Sequence, residues 1–312
     1  MSVQEKEREL DPLPQTRRPG TLRRVLHRPQ FWLGSITLVI AFGWYAVFVF
    51  HPMIQSFWIS LQNYRVLDPD SSVFVGLENF RLLFTYDRFW VAVRNTLIYT
   101  VLIYIFSVPI AMVLSYCLAS VKRGRRFYEF VVFLPVVVSL VAVSMLFRMI
   151  MNPDTGTFNR VLSTIGLPTS HWIFGTGSAL FSVVLVDLWK SLGFYVVLLT
   201  AAMLAVSPEL QDAARVDGAG EWSVFRNVTI PSIMPTLSLV SIFTVFNGLQ
   251  VYVTPTVLGP GPGTSTLMIN EFIIDEAFTS FSMSSATAAS VVLFMFMLVL
   301  TLIQLRILRT RN

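Results

Sequence analysis

Charge is scarce in this chain: Asp, Glu, Lys and Arg make up 13% of its 312 residues, about half the ~25% of an ordinary soluble domain. Hydrophobic residues reach 54% and the mean hydropathy is +0.66, an excess that no water-soluble fold can hide. Cysteine is nearly absent, and the lone Cys117 excludes a disulfide framework and any cysteine-based metal site. Histidine occurs only as His27, His51 and His171, far apart and without a His-Glu-x-x-His spacing, so no zinc site can be drawn. The only lysines, Lys6, Lys122 and Lys190, follow Glu5, Val121 and Trp189, whereas a P-loop places Gly before its phosphate-binding Lys. ATP cannot be held by that route. The run from Gly259 to Gly263 alternates with Pro260 and Pro262, which remove the amides that would cradle a phosphate, and it is expected to be an external turn. Nothing here has the pattern of an enzyme. The net charge of +5 suggests nucleic acid only until the bases are located; they lie in loops and tails and report membrane orientation instead.

What is present is a set of long apolar runs. Residues Phe31 to Phe50 carry no charge and, as a helix, cross the roughly 30 Å hydrocarbon core. Five more candidates follow: Asn95 to Val121, Phe130 to Phe147, about Ser178 to Val206, about Ile233 to Leu258, and about Ser285 to Leu305. The expectation is an all-α integral membrane protein with six spans, its membrane domain running over 31–306. Residues 1–30 are polar and contain Pro12, Pro14, Pro19 and Pro29, which predicts a disordered tail ahead of an uncleaved first helix. A short tail, 307–312, closes the chain. Of the Lys and Arg residues, sixteen fall on the side of the termini and five on the other, which places both termini in the cytoplasm. Pro109, Pro135 and Pro235 lie within spans and are expected to kink them.

One loop, 207–232, is more than a connector. Ser207-Pro208-Glu209 is a helix start, with a capping Ser, Pro in the first turn and an acid behind it. Leu210, Ala213 and Ala214 share one side of the helix, Gly218 lies where it should stop, and Glu221 to Val228 form a second short helix before Pro231 begins the next span. A helix lying on lipid is one reading of such a segment. Its acids, Glu209, Asp212, Asp217 and Glu221, outnumber Arg215 and Arg226, which disfavours anionic lipid and favours a protein partner.

The spacing of this loop is specific. Asp212-Ala213-Ala214, three residues, Gly218, nine residues, then Val228-Thr229-Ile230-Pro231 resembles the Glu-Ala-Ala…Gly…Ile-x-Leu-Pro signature of permease subunits of binding-protein-dependent ABC importers. The likeness extends to Phe74-Val75-Gly76-Leu77-Glu78-Asn79-Phe80, Phe89-Trp90, Asn95-Thr96, Phe133-Leu134-Pro135, Asn152-Pro153 with Gly156, Trp189-Lys190 with Gly193-Phe194, and Asp217-Gly218-Ala219. These are similar to the maltose-type, carbohydrate-uptake branch, and they cover almost everything from Phe31 onward. Departures are Asp212 for the usual Glu, Val228 and Ile230 as apolar exchanges, Ser282-Met283-Ser284-Ser285-Ala286 where Gly-Tyr-Ala-Ser-Ala is common, and a proline-richer turn at Gly259.

The resemblance implies a type I importer permease in a bacterial or archaeal inner membrane. It implies a second permease, most often a different chain, two ATP-binding cassette subunits that use ATP and Mg, and an extracytoplasmic solute-binding protein. This chain would bind no cofactor. Glu209, Asp212, Ala213, Ala214, Asp217, Gly218, Ala219 and Pro231 would form the coupling element, with Gly218 permitting a positive φ. The implied cargo is a sugar, a related polyol or a glycerol phosphate.

For the substrate path, Asp187 and Lys190 are i, i+3 on the fourth span, so they share a face and are expected to offset each other's charge. They are either a structural pair or part of a translocation cavity. Trp189 and the polar residues Asn247, Gln250 and Tyr252 of the fifth span are further cavity candidates, although amides in a bundle also bond neighbouring helices. The main rival class is an ion-coupled secondary transporter or channel, which often shows broken helices or proton-relay acids; Asp187 is the clear mid-span acid here. A membrane-embedded enzyme would need convergent catalytic groups at one membrane face.

Overall fold

The computed structural model describes residues 29–309. The tail expected over residues 1–28 and the last residues, 310–312, lie outside the described residues. The chain divides into two units, Met1–Gln55 and Ser56–Asn312. The described part of the first is helix α1 (Pro29–Tyr45), a π-helical turn (Ala46–Phe50) and the start of α2 (His51–Ser60). The candidate span there, Ser35–Ser60, overruns the expected end at Phe50. Its apolar side chains from Ile36 to Phe50, Trp44 and Phe48 among them, are exposed, as the surface of a membrane helix is.

The second unit begins with a small antiparallel ladder, β1 (Gln62–Asn63) against β2 (Val73–Phe74), with Gln62 opposite Phe74. Helix α3 (Glu78–Leu83) follows, then α4 (Asp87–Ser120), a continuous 34-residue helix that runs through Pro109 without breaking. The third run is split into α5 (Arg125–Val137) and α6 (Leu140–Ile150), bent by 90° where Val138 and Ser139 turn extended just past Pro135. A connecting segment with α7 (Thr157–Thr164) leads to α8 (Ala179–Leu204).

After the 207–232 loop comes α12 (Met234–Leu249), preceded in that loop by α9 (Pro208–Val216), α10 (Glu221–Val224) and α11 (Ile230–Ser232). The chain then forms α13 (Val253–Leu258), α14 (Ile269–Ile274) and α15 (Met283–Arg309). One expectation changes here. The fifth run is not one helix to Leu258, because α12 stops at Leu249 and Gln250 to Tyr252 form a break. Pro235 lies in the first turn of α12, where a missing amide costs nothing, and the helical run bends by 74° directly ahead of it. Among the described residues four helices are long and apolar enough to cross a membrane, and six spans result if each bent pair counts as one.

Packing follows the logic of lipid, where small residues and hydrogen bonds rather than hydrophobicity join helices. Ser115 Oγ donates to the Val196 carbonyl at 3.0 Å, tying α4 to α8. Gly193 is the tightest contact: a Cβ there would stand 2.2 Å from the Val132 carbonyl oxygen, so only glycine lets α8 lie against α5. Ala288 and Ala289 bury α15 against Phe89 and Phe272. Asn95 Nδ2 holds the carbonyls of Thr264 and Leu267, and Asn79 Nδ2 holds those of Ser60 and Gln62, so two motif asparagines secure loops.

Candidate functional site: a helix pair in the 207–232 loop and a polar cavity

Helix α9 ends in a Schellman motif. Gly218, at φ +86°, donates its amide to the Arg215 carbonyl, and Ala219 donates to the Ala214 carbonyl, both at 3.0 Å. The φ is in the region where a side chain is strained, yet a Cβ at Gly218 would meet nothing within 4 Å. Backbone conformation alone therefore favours glycine here. Ser207 is not the side-chain cap expected of it; its hydroxyl instead lies 3.5 Å from Glu209.

Arg215 joins the two helices of this loop. Its Nη1 donates to Asp212 at 2.9 Å, while Nε and Nη2 form a fork on the Glu221 carboxylate at 3.0 and 3.3 Å. Hydrogen bonds from Arg215 to Glu221, and then to Asp212, hold its guanidinium pKa above the usual value. Tyr116 of α4 donates to Glu221 at 3.3 Å, which connects the pair to a long span. Asp212 is thus engaged within the loop, although it stays 69% exposed. Glu209, Ala213, Asp217 and Pro231 are also exposed, whereas Ala214 and Ala219 are half-buried. Pro231 opens only α11, and a 74° bend separates that turn from α12. Beside Leu210, the surface carries two exposed apolar residues the sequence reading passed over, Val216 and Trp222.

The second site is a cavity of about 290 Å³ among α4, α8, α12 and α13, lined by Asp187, Lys190, Asn247, Gln250 and Tyr252 together with Tyr99. Asp187 and Lys190 line this cavity together and lie within each other's electrostatic reach, as their shared face implied, but without a direct contact. Among the described residues no ion pair joins them. The Asp187 carboxylate instead accepts the hydroxyls of Tyr99, at 2.5 Å, and of Thr254. Lys190 Nζ donates to the Val136 carbonyl at 2.7 Å. That carbonyl belongs to the last turn of α5, where helix carbonyls lack partners and a cation is favoured, so Lys190 caps the broken span.

Trp189 is not part of the cavity lining; it packs on Phe147, ring centroids 5.5 Å apart. Gln250 reaches Met297 Sδ at 3.6 Å, a weak partner that leaves its amide available. Tyr99, Thr254, Val136 and Tyr116 carried no sequence signal for these roles, because each partner is distant along the chain. The Asp212–Arg215 spacing of i, i+3 was visible.

Comparisons with known proteins agree with this architecture. Residues 96–311 match the family described as "Binding-protein-dependent transport system inner membrane component". The probable ABC transporter permease protein YurN of Bacillus subtilis (strain 168) is 31% identical over 271 residues, 85% of this chain and 92% of its own length. The sn-glycerol-3-phosphate transport system permease protein UgpA of Pectobacterium atrosepticum is 31% identical and covers 91% of this chain and 97% of its own. The diacetylchitobiose uptake system permease protein NgcF of Streptomyces coelicolor is 29% identical over 89% of this chain and 82% of its own. A solved bacterial ABC transporter involved in the import of the acidic polysaccharide alginate contains a chain that superposes with a TM-score of 0.78 at 26% identity, covering 90% of this chain and 96% of that one. This multi-pass chain therefore belongs to the inner-membrane permease components of binding-protein-dependent ABC importers.

Proposed function

We propose that this chain pairs with a second, different permease to form the path by which a sugar or related polyol enters the cell, driven by ATP hydrolysis on separate subunits. The 207–232 loop is the handle those subunits grip. Glu209, Asp212, Ala213, Ala214, Asp217, Gly218, Ala219 and Pro231 belong to it, with Arg215 and Glu221 making it rigid. ATP and Mg are assigned to the partners because the lysines of this chain have no P-loop context. An extracytoplasmic binding protein delivers cargo, and both termini face the cytoplasm, in line with the Lys and Arg asymmetry. The names of the relatives support the cargo class, since those proteins serve diacetylchitobiose, sn-glycerol-3-phosphate and alginate.

The observation that carries the coupling role is the joint at Gly218: a left-handed turn that nothing crowds, locked by Arg215 across two short helices. A lever must transmit force without bending, and this joint supplies that stiffness on an exposed surface. The test is reconstitution of the assembled transporter in vesicles with Gly218→Val and Gly218→Asn. Valine resists positive φ and asparagine tolerates it. Uptake should be lost with valine and largely kept with asparagine. Full uptake by the valine variant, or solute movement by the purified chain alone, would overturn the reading and favour an ion-coupled carrier.

A further inference from the structure

The turn joining α4 to α5 belongs to neither site. Lys122, Arg123, Arg125 and Arg126 crowd into it. Arg125 lies 3.3 Å from Glu129, while among the described residues Lys122, Arg123 and Arg126 make no ion pair. A hollow of about 500 Å³ opens here, lined by Ala119, Val121 and Gly124 together with Lys122, Arg125 and Arg126. Cations facing one concave space repel one another unless an anion is supplied. At the start of α5, Phe127, Tyr128 and Phe130 are 66%, 51% and 63% exposed. Aromatic side chains at the end of a span mark the depth of lipid headgroups. The hollow therefore sits where phosphodiesters are concentrated, with a charge complementary to theirs.

We propose that this turn binds the headgroup of an anionic phospholipid of the cytoplasmic leaflet, with Lys122 and Arg126 as its main ligands. The side of the membrane rests on the orientation argued above; the chemistry of the hollow does not. Lys122 also borders a cavity of about 400 Å³ whose walls include Gln211, Arg215 and Glu221. A bound headgroup thus lies beside the 207–232 loop, and membrane composition gains access to it.

The test uses the full assembled transporter in nanodiscs of phosphatidylcholine mixed with phosphatidylglycerol. Lipid that stays with the complex through detergent exchange is identified by mass spectrometry. Each cation near an anionic surface contributes a factor of about five in affinity, so Lys122→Gln with Arg126→Gln should reduce phosphatidylglycerol retention roughly twenty-five-fold. Arg123→Gln, with a residue that does not line the hollow, serves as the comparison and should have a smaller effect. Equal retention of the two lipids by the unaltered complex, or unchanged retention in the double variant, overturns the proposal. Displacement of the lipid by free inorganic phosphate would make this a soluble-anion site and overturn it too. Loss of the ATPase subunits with lipid retention intact would assign the turn to a protein interface instead. Retention is read without transport, so failure of the coupling role would leave this result standing, and the reverse.

Discussion

The Tyr99 hydroxyl donates to the Asp187 carboxylate at 2.5 Å, which joins α4 to α8 inside the bundle, and Thr254 brings α13 to the same acid. In lipid an ionisable side chain must be satisfied by protein, and this one is satisfied from two other helices. Tyr99→Phe and Thr254→Val should each destabilise the protein by about 1–3 kcal/mol, the range for losing a hydrogen bond to a charged partner. Because they share Asp187, the double variant should depart from the sum of the two. Thermal unfolding in detergent measures both. A silent Tyr99→Phe would show that the acid finds its partners elsewhere.

Lys190 is expected to behave as a helix cap. Lys190→Met removes the donor from the Val136 carbonyl and should cost about 1–3 kcal/mol, with Lys190→Arg restoring most of it. A residue that only touched cargo would give the opposite pattern, unchanged unfolding with a raised KM for uptake. Measuring both quantities on the same variants separates the two roles.

The parts of this protein that were legible in its sequence are those encoded locally. Apolar length gave the spans, and the stop after Val216 was written in Gly218 itself, since a Schellman motif involves only neighbouring residues. The signature asparagines Asn79 and Asn95 were visible as pattern, but their task of holding loop carbonyls required the fold. The bend at Val138–Ser139 was announced by Pro135, whereas the break at Gln250–Tyr252 was hidden because the flanking apolar run continues past it. Asp187 and Lys190 share a face and feel each other's charge as their spacing implied, but their direct contacts were not legible. Facing positions on one helix permit a pair, but hydroxyls from α4 and α13 and a bare carbonyl at the end of α5 offered each charge a closer partner.

Gly193 offers a sharper stability prediction. A methyl group there would overlap the Val132 backbone, which belongs to a helix and cannot swing away as a side chain does. Gly193→Ala should therefore cost about 1–3 kcal/mol or more, as over-packing does. Gly220→Ala is the control: its φ is −71° and nothing lies within 4 Å of the added atom. If both variants unfold at the unaltered temperature, the close approach of α8 to α5 is wrong.

Arg215 should separate stability from coupling. Its bonds to Asp212 and Glu221 are solvent-exposed, and exposed pairs contribute about 0–1 kcal/mol, so Arg215→Lys should barely change the unfolding temperature. A lysine, however, carries one ammonium where the guanidinium forks, and it cannot engage Asp212 while holding both oxygens of Glu221. The two helices would then move independently. Substrate-stimulated ATP hydrolysis by the reconstituted transporter should fall severalfold in Arg215→Lys, with assembly intact. Glu221→Gln, which keeps the shape but weakens the fork, should lie between that variant and the unaltered protein. Hydrolysis at the normal rate in both variants would mean that the stiffness of this loop is not what transmits the stroke.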